Sequence, residues 1–121
     1  MKLDFPATQR NAEPIWSVLD PLMGPQGTAL EIASGSGQHL ARFATRRPHW
    51  TFIPSDIQSE HRDSISSWCS DLPNVREPLS LDVCGEWSLA ESLDGVWAIN
   101  LFHIAPWEAT LGLMRGCQRW L

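Results

Sequence analysis

A chain of 121 residues, 43% of them hydrophobic and 19% charged, suffices for one compact domain with its own core and is too apolar for a disordered segment. Its formal net charge of -5 argues against non-specific binding to nucleic acid or to an anionic membrane. The three cysteines form no CxxC pair, MKLDFPATQR has no signal-peptide character, and no apolar run reaches membrane-spanning length, so a soluble protein of the reducing cytoplasm is expected.

In chain order, NAEPIWSVLD (11–20) puts Ala12, Ile15, Trp16 and Leu19 at helical spacing, with Pro14 suited to a first turn and Asn11 to an N-cap. Pro21, Gly24, Pro25 and Gly27 end that helix in a loop. TALEIA (28–33) reads as a buried strand, QHLARFATRR (38–47) as a helix halted by Pro48, and WTFI (50–53) as a second strand. From Ser59 to Leu72, the residues Ile65, Trp68, Cys69 and Leu72 define one helical face. A third strand is expected within VREPLSL (75–81), weakened by Pro78, and a fourth in GVWAIN (95–100). The last helix, PWEATLGLMRGCQRWL (106–121), carries Trp107, Leu111, Met114, Cys117 and Leu121 on one stripe. Alternation of this kind predicts a mostly parallel sheet with helices on both faces, in a single domain spanning residues 1–121.

Ser34-Gly35-Ser36-Gly37 joins the first strand to its helix, where an open parallel sheet presents its ligand crevice. Glycines there let backbone approach a ligand without Cβ atoms in the way, and the free amides of the helix start favour an acceptor. A phosphate-binding P-loop is excluded because no lysine follows. A dinucleotide fingerprint would need a third glycine where Leu40 stands, which disfavours a nicotinamide-dependent oxidoreductase. S-adenosyl-L-methionine has no phosphate and tolerates the shorter turn. It needs an acid after the second strand for the ribose hydroxyls, and Asp56 stands there, with Asp82 after the third strand as an acceptor for the adenine amino group. Ser36 lacks the flanking glycines of a hydrolase elbow, and the histidines at 39, 49, 61 and 103 form no metal-ligand pattern.

ALEIASGSGQHL resembles the first motif of class I S-adenosylmethionine-dependent methyltransferases, with Ala33 in place of the usual first glycine. RNAEPI, LEIASGSGQH, IPSD, LDV and NLFHIAPWEATLGL together resemble a methyltransferase-like family designated domain of unknown function 938, across nearly the whole chain. The resemblance implies a Rossmann-like α/β fold with parallel sheet order 3-2-1-4 and S-adenosyl-L-methionine as cofactor. It puts Glu31, Gly35 and Gly37 against the methionine part, Asp56 on the ribose and Asp82 near the adenine, with Arg10 and Asn11 closing over them. Glu31 is equally readable as a salt-bridge partner at the sheet end, and Arg10 and Asn11 as helix-capping residues.

Asn100 and His103 end the fourth strand, where such enzymes place residues beside the transferred methyl. Asn100 would accept from a substrate amine and His103 would act as a general base, the plain alternatives being a turn residue and a backbone hydrogen bond. Most of the seven tryptophans read as core, Trp107 being the one placed to line a pocket. The resemblance further implies that the chain lacks the C-terminal strands of the fold, leaving the fourth strand as an apolar edge open to self-association. Two functions remain at this point: methyl transfer to an acceptor the residues do not name, and a non-catalytic interaction module that keeps the fold.

Overall fold

The structure, a computed structural model, describes residues 2–99 and 107–121. Helix α1 (Pro6–Leu19) runs through a short 3-10 turn at Asp20–Leu22 into strand β1 (Gly27–Ile32). Then follow α2 (Gln38–Arg46), β2 (Trp50–Pro54), α3 (Ser59–Cys69), β3 (Gly95–Ala98) and α4 (Trp107–Trp120). The sheet is parallel with order β2-β1-β3, and β1 pairs with both neighbours, Leu30 lying opposite Ile53 on one side and Val96 on the other.

The expected third strand is present as two isolated parallel bridges, Phe52 to Val75 and Ser55 to Leu79, on the outer side of β2. The reason is chemical. A regular parallel ladder here would use the N–H groups of residues 54 and 78, and both are prolines without one. The chain keeps the bonds around them, Phe52 N–H to Asn74 O (2.8 Å) and Arg76 N–H to Phe52 O (2.9 Å) before the gap, Leu79 N–H to Pro54 O (3.0 Å) after it. Three residues of β2 are thus matched by four of the outer segment, a bulge that stops the strand. The spatial order 3-2-1-4 therefore survives as a three-stranded sheet with a bridged outer segment.

The first helix begins five residues before the expected start. Pro6 takes the first-turn position, Phe5 is the N-cap, and Pro14 lies inside the helix on an exposed face. Asn11 is therefore a mid-helix residue and caps nothing. The turn after α1 is fixed by Arg47, whose guanidinium donates to Asp20 Oδ1 (2.6 and 2.8 Å) and to Gly24 O (2.9 Å).

Two apolar layers enclose the sheet. Ala29, Leu40, Phe43, Phe52, Ile65 and Cys69 fill the side facing α1, α2 and α3. Leu30, Ile32, Ile53, Val83, Trp87 and Ala109 fill the side facing α4. Helix α4 turns toward this core its small residues, Ala109, Gly112 and Gly116, all buried. A Cβ on Gly112 would come within 2.2 Å of Val83 O and one on Gly116 within 2.3 Å of the Trp87 ring, so the glycines set how closely the helix docks. Trp107, Leu111, Met114 and Leu121 of the expected stripe are exposed as a result. Among the described residues no helix is long and apolar enough to cross a membrane.

Candidate functional site

The glycine turn lies between the carboxyl ends of β1 and β2 and is stitched to both. Ser34 N–H donates to Ser55 O (2.8 Å), Ser55 N–H to Ser34 Oγ (3.1 Å), and Ser55 Oγ–H to Glu31 O (2.6 Å). Ala33 (φ 54°), Gly35 (φ 62°) and Gly37 (φ 90°) all have left-handed backbone, Ala33 at the position where the resembled motif carries glycine. A residue with a Cβ bears about 1 kcal/mol there that glycine would not. The turn's shape thus explains the motif's preference for small residues, and alanine is the smallest departure from it.

Gly35 N–H donates to Asp56 Oδ2 at 3.0 Å, which joins two residues singled out in the sequence. Asp56 is 5% exposed, and its other oxygen accepts from Gln58 N–H (2.9 Å). His61 Nδ1 stands 3.1 Å from Asp56 Oδ2, bringing in a histidine that no spacing in the sequence tied to this site. Gly37 has a close neighbour within the fold. A Cβ there would fall 2.8 Å from the Cα of Ile65, so its bare Cα makes room for α3.

Glu31, the residue before the end of β1, has its side chain on the α2 side of the sheet and is 2% exposed. Trp97 Nε1 of β3 donates to Oε2 at 3.1 Å, a contact between residues 66 apart that the sequence does not signal. Oε1 is buried without a hydrogen-bond partner among the described residues. Burial pushes the carboxyl up to about 7, against the smaller lowering effect of its hydrogen bonds. Among the described residues no basic side chain pairs with it. A buried acid with one oxygen unpaired among the described residues is set to meet a donor or a cation.

The other candidates are more scattered. Asp82 is exposed in a turn after Leu81, where Oδ1 accepts from Cys84 N–H (2.9 Å) and the Asp82 carbonyl from Gly85 N–H (3.0 Å). Arg10 and Asn11 lie on the exposed side of α1. Asn100 and His103 lie outside the described residues. Trp107 is 69% exposed. The three cysteines are free, and Cys69, buried in the apolar layer, has its thiol pushed up to about 12 by that burial. Among the described residues no group of three or more His, Cys, Asp or Glu could hold a metal ion.

The fold has many solved counterparts. Coclaurine N-methyltransferase, bound to N-methylheliamine and SAH, superposes with a TM-score of 0.74 at 19% identity over 99% of this chain and 34% of its own. The N-methyltransferase NodS from Bradyrhizobium japonicum gives 0.73 at 18% identity over 98% of this chain and 65% of its own. PKMT2 from Rickettsia typhi, in complex with AdoHcy, gives 0.69 at 18% over 80% and 19%. The chain thus has a Rossmann-like methyltransferase fold and spans less than two thirds of the length of each of these proteins. The model of one family matches residues 2–121, and by that match the chain belongs to the family described as a protein of unknown function (DUF938).

Proposed function

We propose that this chain binds S-adenosylmethionine at the carboxyl ends of β1 and β2 and, as part of a methyltransferase, presents it to an acceptor. The observation that carries the reading is the buried Oε1 of Glu31, without a hydrogen-bond partner among the described residues, close in the chain to the bare Cα of Gly35. An α-ammonium group is the kind of donor that oxygen lacks, and ionised Glu31 would hold it by a charge-assisted hydrogen bond. Asp56, reoriented from the Gly35 amide, would accept from the ribose hydroxyls, and Asp82 would serve the adenine end. Bound there, the cofactor supplies a methyl on a cationic sulfur. The protein's share is then to orient and to exclude water, which can suffice for transfer. Asn100 and His103 would stand on the acceptor side, with Arg10 and Asn11 over the cofactor. The superposed methyltransferases, two of them described with AdoHcy or SAH, support the choice of cofactor. A cytoplasmic setting suits it.

Calorimetry with S-adenosylmethionine and S-adenosylhomocysteine, against NAD, tests the reading: uptake of the first two alone is expected, and uptake of NAD alone would overturn it. Asp56→Ala is expected to weaken binding by about 1.5–3 kcal/mol, the range for a hydrogen bond to a charged group. Because Asp56 is buried and accepts two amides, the same change also costs stability, about 1–3 kcal/mol, contrary to what a free crevice carboxylate would do. Equal affinity in mutant and wild type would remove Asp56 from the ribose.

The non-catalytic reading is favoured by a separate surface. Among the described residues β3 pairs with β1 alone, and beside it Ile15, Val18, Leu22, Trp97 and Ile99 line an apolar groove of about 390 Å³. Val18 is 68% and Leu22 78% exposed. Self-association through this edge is the expected consequence. Light scattering over a concentration series should show mass rising with concentration, and a constant monomer would defeat it.

A further inference from the structure

The segment just before α1 is fastened across the glycine turn. Leu3 N–H donates to Ser64 Oγ (2.8 Å), and Leu3 O accepts from Trp68 Nε1 (2.8 Å). Phe5 N–H donates to Gln38 Oε1 (2.9 Å), while Gln38 Nε2 donates to Asp4 Oδ1 (2.9 Å). Ser64 and Gln38 are themselves buried, and with Ser36 they form a polar set inside apolar packing: Ser64 Oγ–H donates to Ser36 O (2.7 Å) and Ser36 Oγ–H to Gln38 Oε1 (2.7 Å). Buried polar groups are retained where they have partners to satisfy, and the partners here are the backbone and side chain of residues 3–5.

This fastening puts the Phe5 ring on the site. Its Cε2 would be 3.3 Å from a Cβ on Gly35, so the ring covers the bare Cα that a ligand would approach. The same ring packs edge-on against His61, centroids 5.8 Å apart, and His61 is the neighbour of Asp56 Oδ2. Gly35 has given its amide to Asp56 and its open side to Phe5. The turn and its acid are therefore engaged within the chain itself. Phe5 remains 38% exposed and follows a segment without regular secondary structure, held by hydrogen bonds that water can replace once it leaves.

We propose that residues 2–5 are an autoinhibitory strap, in which Phe5 competes with the cofactor for the face of Gly35 and must swing away for binding. The proposal rests on the cofactor reading above and adds a control on the same site. A closed strap lowers apparent affinity by the fraction of molecules that are open.

Calorimetry with S-adenosylhomocysteine on the full chain is the test, together with hydrogen exchange at the Leu3 and Phe5 amides. Phe5→Ala is expected to bind about tenfold more tightly than wild type, as for a site open in roughly a tenth of molecules. Asp4→Ala, at an exposed position that cannot unfold the core, should give a smaller gain in the same direction. Saturating ligand should speed exchange at both amides in the wild type. Equal or weaker binding by Phe5→Ala, or slower exchange with ligand, would make Phe5 a wall of the site and overturn the strap while leaving the cofactor reading intact. Absence of uptake by wild type and both variants would overturn the cofactor reading and the strap with it.

Discussion

Gly37→Val is expected to lower stability by about 2–5 kcal/mol, the sum of placing a β-branched residue in left-handed backbone and of overpacking against a neighbouring main chain. The backbone angle is φ 90°, and the contact is the Ile65 Cα, 2.8 Å from where a Cβ would sit. Neither can relax cheaply, because Ile65 is fully buried in the layer between α2, α3 and the sheet. Urea denaturation monitored by circular dichroism checks this, and an unchanged midpoint would refute it. On the sequence alone the same substitution would be expected to spare the fold and abolish ligand binding. The structure reverses that order: lost binding in this variant would follow from lost packing.

The second large effect concerns pH. Glu31 has an ordinary value of 4.5 and is raised to about 7 in the folded protein by burial. Between those two values the folded protein holds a proton that the unfolded chain has released, so the stabilising contribution of protonated Glu31 is full below pH 4.5. It is lost as the pH rises through about 7, at a cost on the order of 3 kcal/mol. Glu31→Gln should flatten that slope, since an amide keeps an acceptor for Trp97 Nε1 and does not ionise. Thermal denaturation of both proteins from pH 4.5 to 8 is the measurement, and parallel curves would show that Glu31 does not titrate in this window. A cationic ligand at Oε1 should restore wild-type stability at the upper end, and its affinity should fall as the pH drops below 7 because binding must then expel a proton.

How far the residues speak for themselves depends on the range of the interaction. β1, the glycine turn, α2, β2 and Asp56 were legible because periodicity and punctuation are local, and they were found where expected. The start of α1 was not, because Pro14 and Pro6 fit a first turn equally well and only tertiary docking of residues 3–5 selects Pro6. The buried face of α4 was misread for a physical reason. Apolar bulk marks a packed face when side chains fill the gap, but here Gly112 and Gly116 close the gap with backbone and leave the bulky stripe outside. Phe5 and Trp97 reach the site from distant parts of the chain, Phe5 covering Gly35 and Trp97 donating to Glu31, 66 residues away, while His61 comes to Asp56 from the first turn of α3. No spacing rule connects such residues.

The two prolines at 54 and 78 have a consequence for how this sheet can grow. In the outer segment, the Val75 amide is spent on Leu72 O, those of Arg76 and Leu79 on β2, and Pro78 has none. Four of the five positions from 75 to 79 therefore offer no amide to an incoming strand, and the Arg76–Glu91 ion pair adds charge along that margin. β3 contains no proline, and among the described residues it pairs on one side only, with β1, so the amides that alternate to its other side are left for a further strand. The sheet is polar in the sense of a growing crystal face, poisoned on one side and receptive on the other. Among the described residues, an additional strand, whether from a longer form of the chain, a second molecule or an unfolded neighbour during synthesis, therefore finds its open margin at β3, and introducing a proline within that strand would remove a backbone donor from it.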